Sequence, residues 1–186
     1  MILQALTDHY EALVAQGKLD KPGWAKAKIS FALCVNDQGA LERVDITKIL
    51  PPQDARKPVP TPRTMSLPAP VKRSSGIASN FLWDNSTYLL GADNKGKPQR
   101  SLECFYACKT LHHKLLDGVD SPAAKALLAF FDRWEPSQAQ SHPALQDDWE
   151  ELISSANLVF RYNGSFVHED PLIRRVWQNH YDAEPD

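Results

Sequence analysis

The sequence predicts an α+β domain built on a mainly antiparallel sheet with flanking helices. Three observations carry that expectation. Strand-period alternation is concentrated in the first half of the chain, helix-period patterns dominate the middle, and the connections between them are short.

The elements follow in order. Ile2, Leu3, Leu6, Tyr10, Leu13 and Val14 fall at the three-to-four spacing of an amphipathic helix that Gly17 ends. "KISFALCVN" then alternates Ile29, Phe31, Leu33 and Val35 on one face, as a half-buried strand does. "NDQG" is turn chemistry. "ALERVDITKIL" alternates again at Leu41, Val44 and Ile46, with a slip that suggests a bulge, so the pair is expected to form a β-hairpin. "PPQDARKPVPTPR" holds too much proline for a regular element and predicts an extended surface loop. A short strand at "TMSLP", a loop over "VKRSSG" and a strand over "NFLWDNSTYLLG" come next.

Pro98 suits the first turn of a helix running to about Leu116, because proline has no backbone N–H to lose there. Ser121 is expected to cap a second helix opened by Pro122, and a third is expected from near Pro143. "NLVFRYNGSFVHED" predicts two short strands around an Asn-Gly turn, followed by a helix from Pro171.

Composition narrows the function classes. The chain has 186 residues, 42% of them hydrophobic, which suits a globular core. The net charge of −2 is unevenly spread: from Arg56 to Lys114 there are ten Lys/Arg against three Asp/Glu. A basic block in a mildly acidic chain points to a polyanion partner or to a plain solvated face. Three cysteines, no positively charged leader and no long apolar run fit a reduced, cytoplasmic protein that does not enter a membrane.

Four constellations carry possible chemistry. "GADNKGKP" matches G-x-x-x-x-G-K between a strand and a helix, but the next residue is Pro98 where a phosphate loop needs Ser or Thr for magnesium. A tight turn is the better reading, with Lys95, Lys97 and Arg100 left as contacts for phosphates. Cys104, Cys108 and His112 share one helical face at four-residue spacing, yet no second ligand pair accompanies them, so no metal or other cofactor is expected. "VHEDP" and "QDDWEE" offer carboxylates without a partner cluster, and Ser74 and Ser75 have no evident base, so no catalytic residue is assigned. "VKRSSG" offers cations, small hydroxyls and a glycine to a nucleic acid, while the strand spacing of Phe81 and Trp83 marks them as core rather than stacking platforms.

"SFALCVN", "MSLPAPVKRSSGIASNFLWDNSTYLLGADNKGKP" and "CFYACKTLHHKLL", with "GKLDKPGW" and "RRVWQNHY", carry a resemblance that spans nearly the whole chain. Together they resemble the N-terminal part of the large subunit of the type I-C CRISPR surveillance complex, the Csd-type Cascade. That subunit is several times longer and has a helical C-terminal region, so residues 1–186 are expected to be a single N-terminal domain and a fragment of it.

The resemblance implies a non-catalytic module beside the subunit that holds the 5′ handle of the crRNA, touching the backbone subunits of the complex. It implies recognition of the protospacer-adjacent motif on double-stranded target DNA, help in opening the duplex, and recruitment of a separate helicase-nuclease. Protein reads a short motif in such systems and base pairing reads the rest. By analogy with the minor-groove loop of other type I complexes, Lys72, Arg73, Ser74, Ser75, Gly76 and Asn80 are expected at or near the motif, and Arg63, Lys95, Lys97 and Arg100 on phosphates. Two alternatives stay open: a structural module whose basic block docks on crRNA and neighbouring subunits, and a metal- or nucleotide-dependent hydrolase.

Overall fold

The computed structural model describes residues 20–54, 56 and 59–184, so the helix expected over residues 2–16 lies outside the described residues. The architecture is α+β, with a five-stranded sheet, a separate two-stranded sheet, and helices packed over the larger one. Four of its five strand pairings are antiparallel.

The alternating segment around Phe31 is two strands rather than one. Strand β1 (Trp24–Ile29) ends at Ser30 and β2 (Phe31–Val35) begins after it. Ser30 leaves both ladders and instead takes a bond from Thr47 and gives one to Asn157, each at 3.0 Å. The chain thereby passes from one sheet to the other, and Ile29 and Phe31 enter different apolar clusters. All five residues of β2 are buried.

The expected hairpin forms between β2 and β3 (Leu41–Ile46). Its slip is real: Cys34 faces Arg43 and Val35 faces Leu41, leaving Glu42 as the extra residue. Gly39 closes the connecting turn at φ +79°, and a Cβ there would lie 2.3 Å from the backbone of Ala129 and Phe130. Only glycine admits that approach.

Strand β4 (Arg63–Pro68) pairs with β1. The predicted strand over "NFLWDNSTYLLG" is cut to β5 (Trp83–Asn85), because the Asn85 side chain accepts from the Thr87 N–H and caps the short helix α1 (Ser86–Leu89). Helix α2 spans Pro98–Leu116 and α3 spans Pro122–Arg133, both led by proline as expected, and Ser121 Oγ accepts from Ala124 N at 3.2 Å. The helix expected from Pro143 is replaced by 3₁₀ turns at Pro136–Ser141 and Pro143–Leu145 and a single turn, α4 (Trp149–Leu152). Pro143 is compatible with a helix start, but His142 Nδ1 accepts from Ala144 N and Gln146 Nε2 donates to the Gln140 and His142 carbonyls, which holds the segment in short turns.

Strand β6 (Asn157–Tyr162) runs parallel to β2 and antiparallel to β5 and to β7 (Ser165–Phe166), giving the order β3-β2-β6-β5. The β6–β7 turn places Asn163 and Gly164 at φ 51° and 82°, the geometry an Asn-Gly hairpin prefers. Helix α5 (Pro171–Ala183) closes the described chain. Its N-cap, Asp170, accepts from Leu172 N and Ile173 N, so the acidic "VHEDP" run is spent on a helix start.

Candidate nucleic-acid interface

The site is built around a backbone reversal at Leu82, which has φ +72°. A branched side chain in that region costs on the order of 1–3 kcal/mol and persists only where its surroundings compel it. Two things compel it here. Phe81 belongs to the main core and Trp83 to the second apolar cluster, so their spacing does not put them on one face as plain alternation predicts. His112 also holds the reversal: its Nε2 accepts from Leu82 N–H at 2.9 Å while Nδ1–H donates to the Cys108 carbonyl at 2.7 Å. The imidazole is fully buried, against Phe81 and Phe131, and burial pushes its pKa down to about 4. Both ring nitrogens are thus committed to the backbone, which leaves none for the metal that Cys104, Cys108 and His112 suggested by spacing. Burial also raises the Cys108 thiol far above its ordinary value, so it stays protonated.

Beneath the loop lies a buried carboxylate. Asp84 is 1% exposed and accepts from Asn80 N at 3.0 Å and Asn85 N at 2.8 Å. Arg73 completes its shell as a fork, Nη1 to Oδ2 at 2.7 Å and Nη2 to Oδ1 at 3.0 Å. The same guanidinium donates to the Ala78 carbonyl at 2.9 Å and lies 4.3 Å from the centre of the Tyr88 ring. Arg73, expected at the motif, is braced against the base of its own loop while its side chain stays 26% exposed and lines the cleft described below. Asn80 is likewise 3% exposed, its Oδ1 accepting from Val71 N–H at 2.9 Å. Asn80 shapes the loop from within, and Arg73 braces it from its partly exposed side.

What they leave outside is Lys72, Ser74, Ser75 and Gly76, all exposed. Gly76 has an ordinary φ, and a Cβ added to it would meet nothing within 4 Å. The fold therefore makes no demand for glycine at that position.

The second basic segment comes to the same place. The 91–97 turn is held by Asp93, whose carboxylate accepts from Thr87 Oγ1 at 2.6 Å, Ser101 Oγ at 2.8 Å and Lys95 N at 2.9 Å. Burial acts to raise this carboxyl, but those bonds outweigh it and hold it below the ordinary carboxylate range. The turn needs Gly96 at φ +73° and presents Lys95 and Lys97 to solvent. Arg100, on the exposed side of the first turn of α2, donates to the Ser75 carbonyl at 3.2 Å and joins the two segments.

Between them opens a cleft of about 550 Å³ lined by Arg73, Ser74 and Gly76 on one side and Lys95, Lys97 and Arg100 on the other, with Tyr88 and Cys104 among its other walls. Of the predicted site residues the cleft gathers six. Lys72 and Ser75 are exposed on the same loop, Asn80 lies beneath it, and Arg63 stands at the start of β4 and is not among the lining residues.

Sequence reasoning missed Thr87, Tyr88, Asp93 and Ser101 as shapers of this cleft. A four-residue helix shows no periodicity, and an acidic residue such as Asp93 reads as an obstacle to a phosphate when it is in fact the strut of the turn. Among the described residues, no group of three or more His, Cys, Asp or Glu side chains is placed to hold a metal ion, and no helix is long and apolar enough to cross a membrane.

A family model for the CRISPR-associated protein Cas_Csd1 matches residues 6–186. The chain belongs to the Cas_Csd1 family. The match covers every strand and helix described above, including both basic segments and the cleft between them. No curated protein matches the chain. A CRISPR-associated chain works among other Cas components.

Proposed function

We propose that this Cas_Csd1 chain is a DNA-sensing module of a crRNA-guided effector complex, which engages the protospacer-adjacent motif on duplex DNA and does no chemistry of its own. The observation that supports this reading best is the convergence of two sequence-distant basic segments on one open cleft. Asn80 is buried and Arg73 is largely engaged by Asp84, so the groups most free to touch DNA are Lys72, Ser74, Ser75 and the bare backbone at Gly76. A protruding backbone without a side chain suits the minor groove, which is narrow and offers few distinguishing donors. Lys95, Lys97 and Arg100 then act on phosphates, positioning the duplex without reading it. Docking beside the crRNA 5′ handle and the backbone subunits, help in opening the duplex and recruitment of a helicase-nuclease belong to the same reading.

The test is a Lys95→Ala/Lys97→Ala/Arg100→Ala variant in the assembled complex with guide RNA. Affinities for motif-bearing and motif-lacking duplexes are measured across a salt series. Both should weaken by a similar factor, and the slope of log K against log salt should shrink by about one for each phosphate that is no longer neutralised. An unchanged slope would remove these residues from the DNA path.

A further inference from the structure

A second cavity, of about 290 Å³, adjoins the basic cleft: the two share Asp93, Lys97 and Ser101 as common wall. Its far side is formed by Pro136, Gln140 and Trp149. The two sides are tied together by Asn94 N–H donating to the Ile153 carbonyl at 3.2 Å, just beyond α4.

Trp149 differs from the other four tryptophans of the chain. Trp24, Trp83, Trp134 and Trp177 each donate the indole N–H to a protein acceptor, at 2.7–2.9 Å. Trp149 alone has no such acceptor among the described residues, takes part in no aromatic pair there, and is half-buried with a surface on the cavity. Its N–H is open to solvent rather than buried, so it is a donor that water serves and that a ligand on this wall can take over.

We infer that this cavity receives one unpaired nucleotide of the engaged DNA, its base against Trp149 and its phosphate on Lys95 and Lys97. The inference rests on the proposed engagement of duplex DNA and extends it to a strand that has opened. The chemistry is complementary along the groove. Cations stand at one end, an aromatic surface with a free donor stands at the other, and Gln140 supplies an amide able to meet a base edge. Asp147 and Glu150, exposed and near Trp149 in the sequence, add negative charge beyond this end of the groove.

The experiment uses the assembled complex with guide RNA and a motif-bearing duplex pre-opened by mismatches beside the motif, with 5-iodouracil placed at each opened position in turn. Ultraviolet cross-linking followed by peptide mass spectrometry identifies the stacked residue. The expected result is a cross-link to Trp149 from one or two adjacent positions, kept in Trp149→Phe and abolished in Trp149→Leu, which keeps an apolar side chain but removes the ring. Trp149→Leu should also weaken binding of the pre-opened duplex about five- to a hundredfold, the range of one base–aromatic stack, while fully paired duplex is bound as before.

Cross-links that form elsewhere on the chain but never at Trp149 would overturn the inference, as would equal loss of affinity for paired and opened duplexes. So would abolition of the cross-link by a free mononucleotide at the concentration of the DNA, which would make the cavity a site for a small molecule. If motif discrimination by the wild-type complex survives while the Trp149 cross-link is absent, only this inference fails. If discrimination does not depend on the Lys72 loop, the functional reading fails first.

Discussion

Arg73→Ala should unfold this region rather than subtract a group from the DNA surface. The substitution removes both arms of the fork to Asp84, the bond to the Ala78 carbonyl and the stack on Tyr88, and it leaves a carboxylate that is 1% exposed with two backbone donors. Removing one partner of a fully buried ion pair costs about 3–5 kcal/mol. Arg73 is 26% exposed, so water recovers part of that. The two remaining N–H donors keep a further part, since each charge-assisted bond contributes about 1.5–3 kcal/mol. Loss of the cation–π stack adds about 0.5–1 kcal/mol. A net loss of about 2–3 kcal/mol follows, or roughly 5–10 °C in Tm for a chain of this size.

Thermal melting of the chain followed by circular dichroism measures it, with Lys72→Ala as the control expected to melt like the wild type. Arg73→Lys should fall between, because an ammonium keeps the charge without the fork. An Arg73→Ala variant melting within about 1 °C of wild type while losing DNA binding would refute the reasoning, and would return Arg73 to the surface role its neighbours in the sequence suggest.

Other outcomes follow from single residues. An unfolded histidine titrates near 6.5, while burial holds His112 and His168 near 4 in the fold. The unfolded chain therefore takes up these protons first, so their full stability is present above pH 6.5 and drains away as pH falls toward 4. The slope should be about 1.4 kcal/mol per pH unit for each group. Urea unfolding at pH 5 and 7 should show His112→Gln less stable at neutral pH but flatter by about one proton; an unchanged slope would mean that His112 is not buried neutral. Gly76→Ala should leave Tm within about 1 °C, since its Cβ meets nothing, yet lower affinity for duplex in the assembled complex. Gly96→Ala, by contrast, forces alanine to φ +73° and should cost about 1 kcal/mol or more by the same melt.

The sequence made the long elements legible and the local reversals opaque. Helices α2 and α3 begin at the very prolines that mark them, and the Asn-Gly hairpin and the β3 slip appear where alternation and turn chemistry place them. The break at Ser30 and the reversal at Leu82 were hidden because each depends on partners far along the chain, Asn157 and Thr47 for one and His112 for the other. The candidate site divides the same way. Lys72, Ser74, Ser75 and Gly76 are where residue type placed them, at the surface. Arg73 and Asn80 are of the right type for DNA, but Asp84 and Val71 claim them, and no local pattern announces that claim. The joining of the 72–76 loop to Lys95, Lys97 and Arg100 is a tertiary fact carried by Asp93 and by the Arg100–Ser75 bond.

The most direct test of the central reading is the ratio of affinities for motif-bearing and motif-lacking duplex, measured on the guide-loaded complex carrying Lys72→Ala/Ser74→Ala/Ser75→Ala. These three side chains are exposed, so the fold should be untouched and the ratio should collapse toward one while affinity for motif-lacking DNA falls only as removal of one cation requires. A ratio equal to that of the wild-type complex would contradict the reading and move motif recognition to another surface.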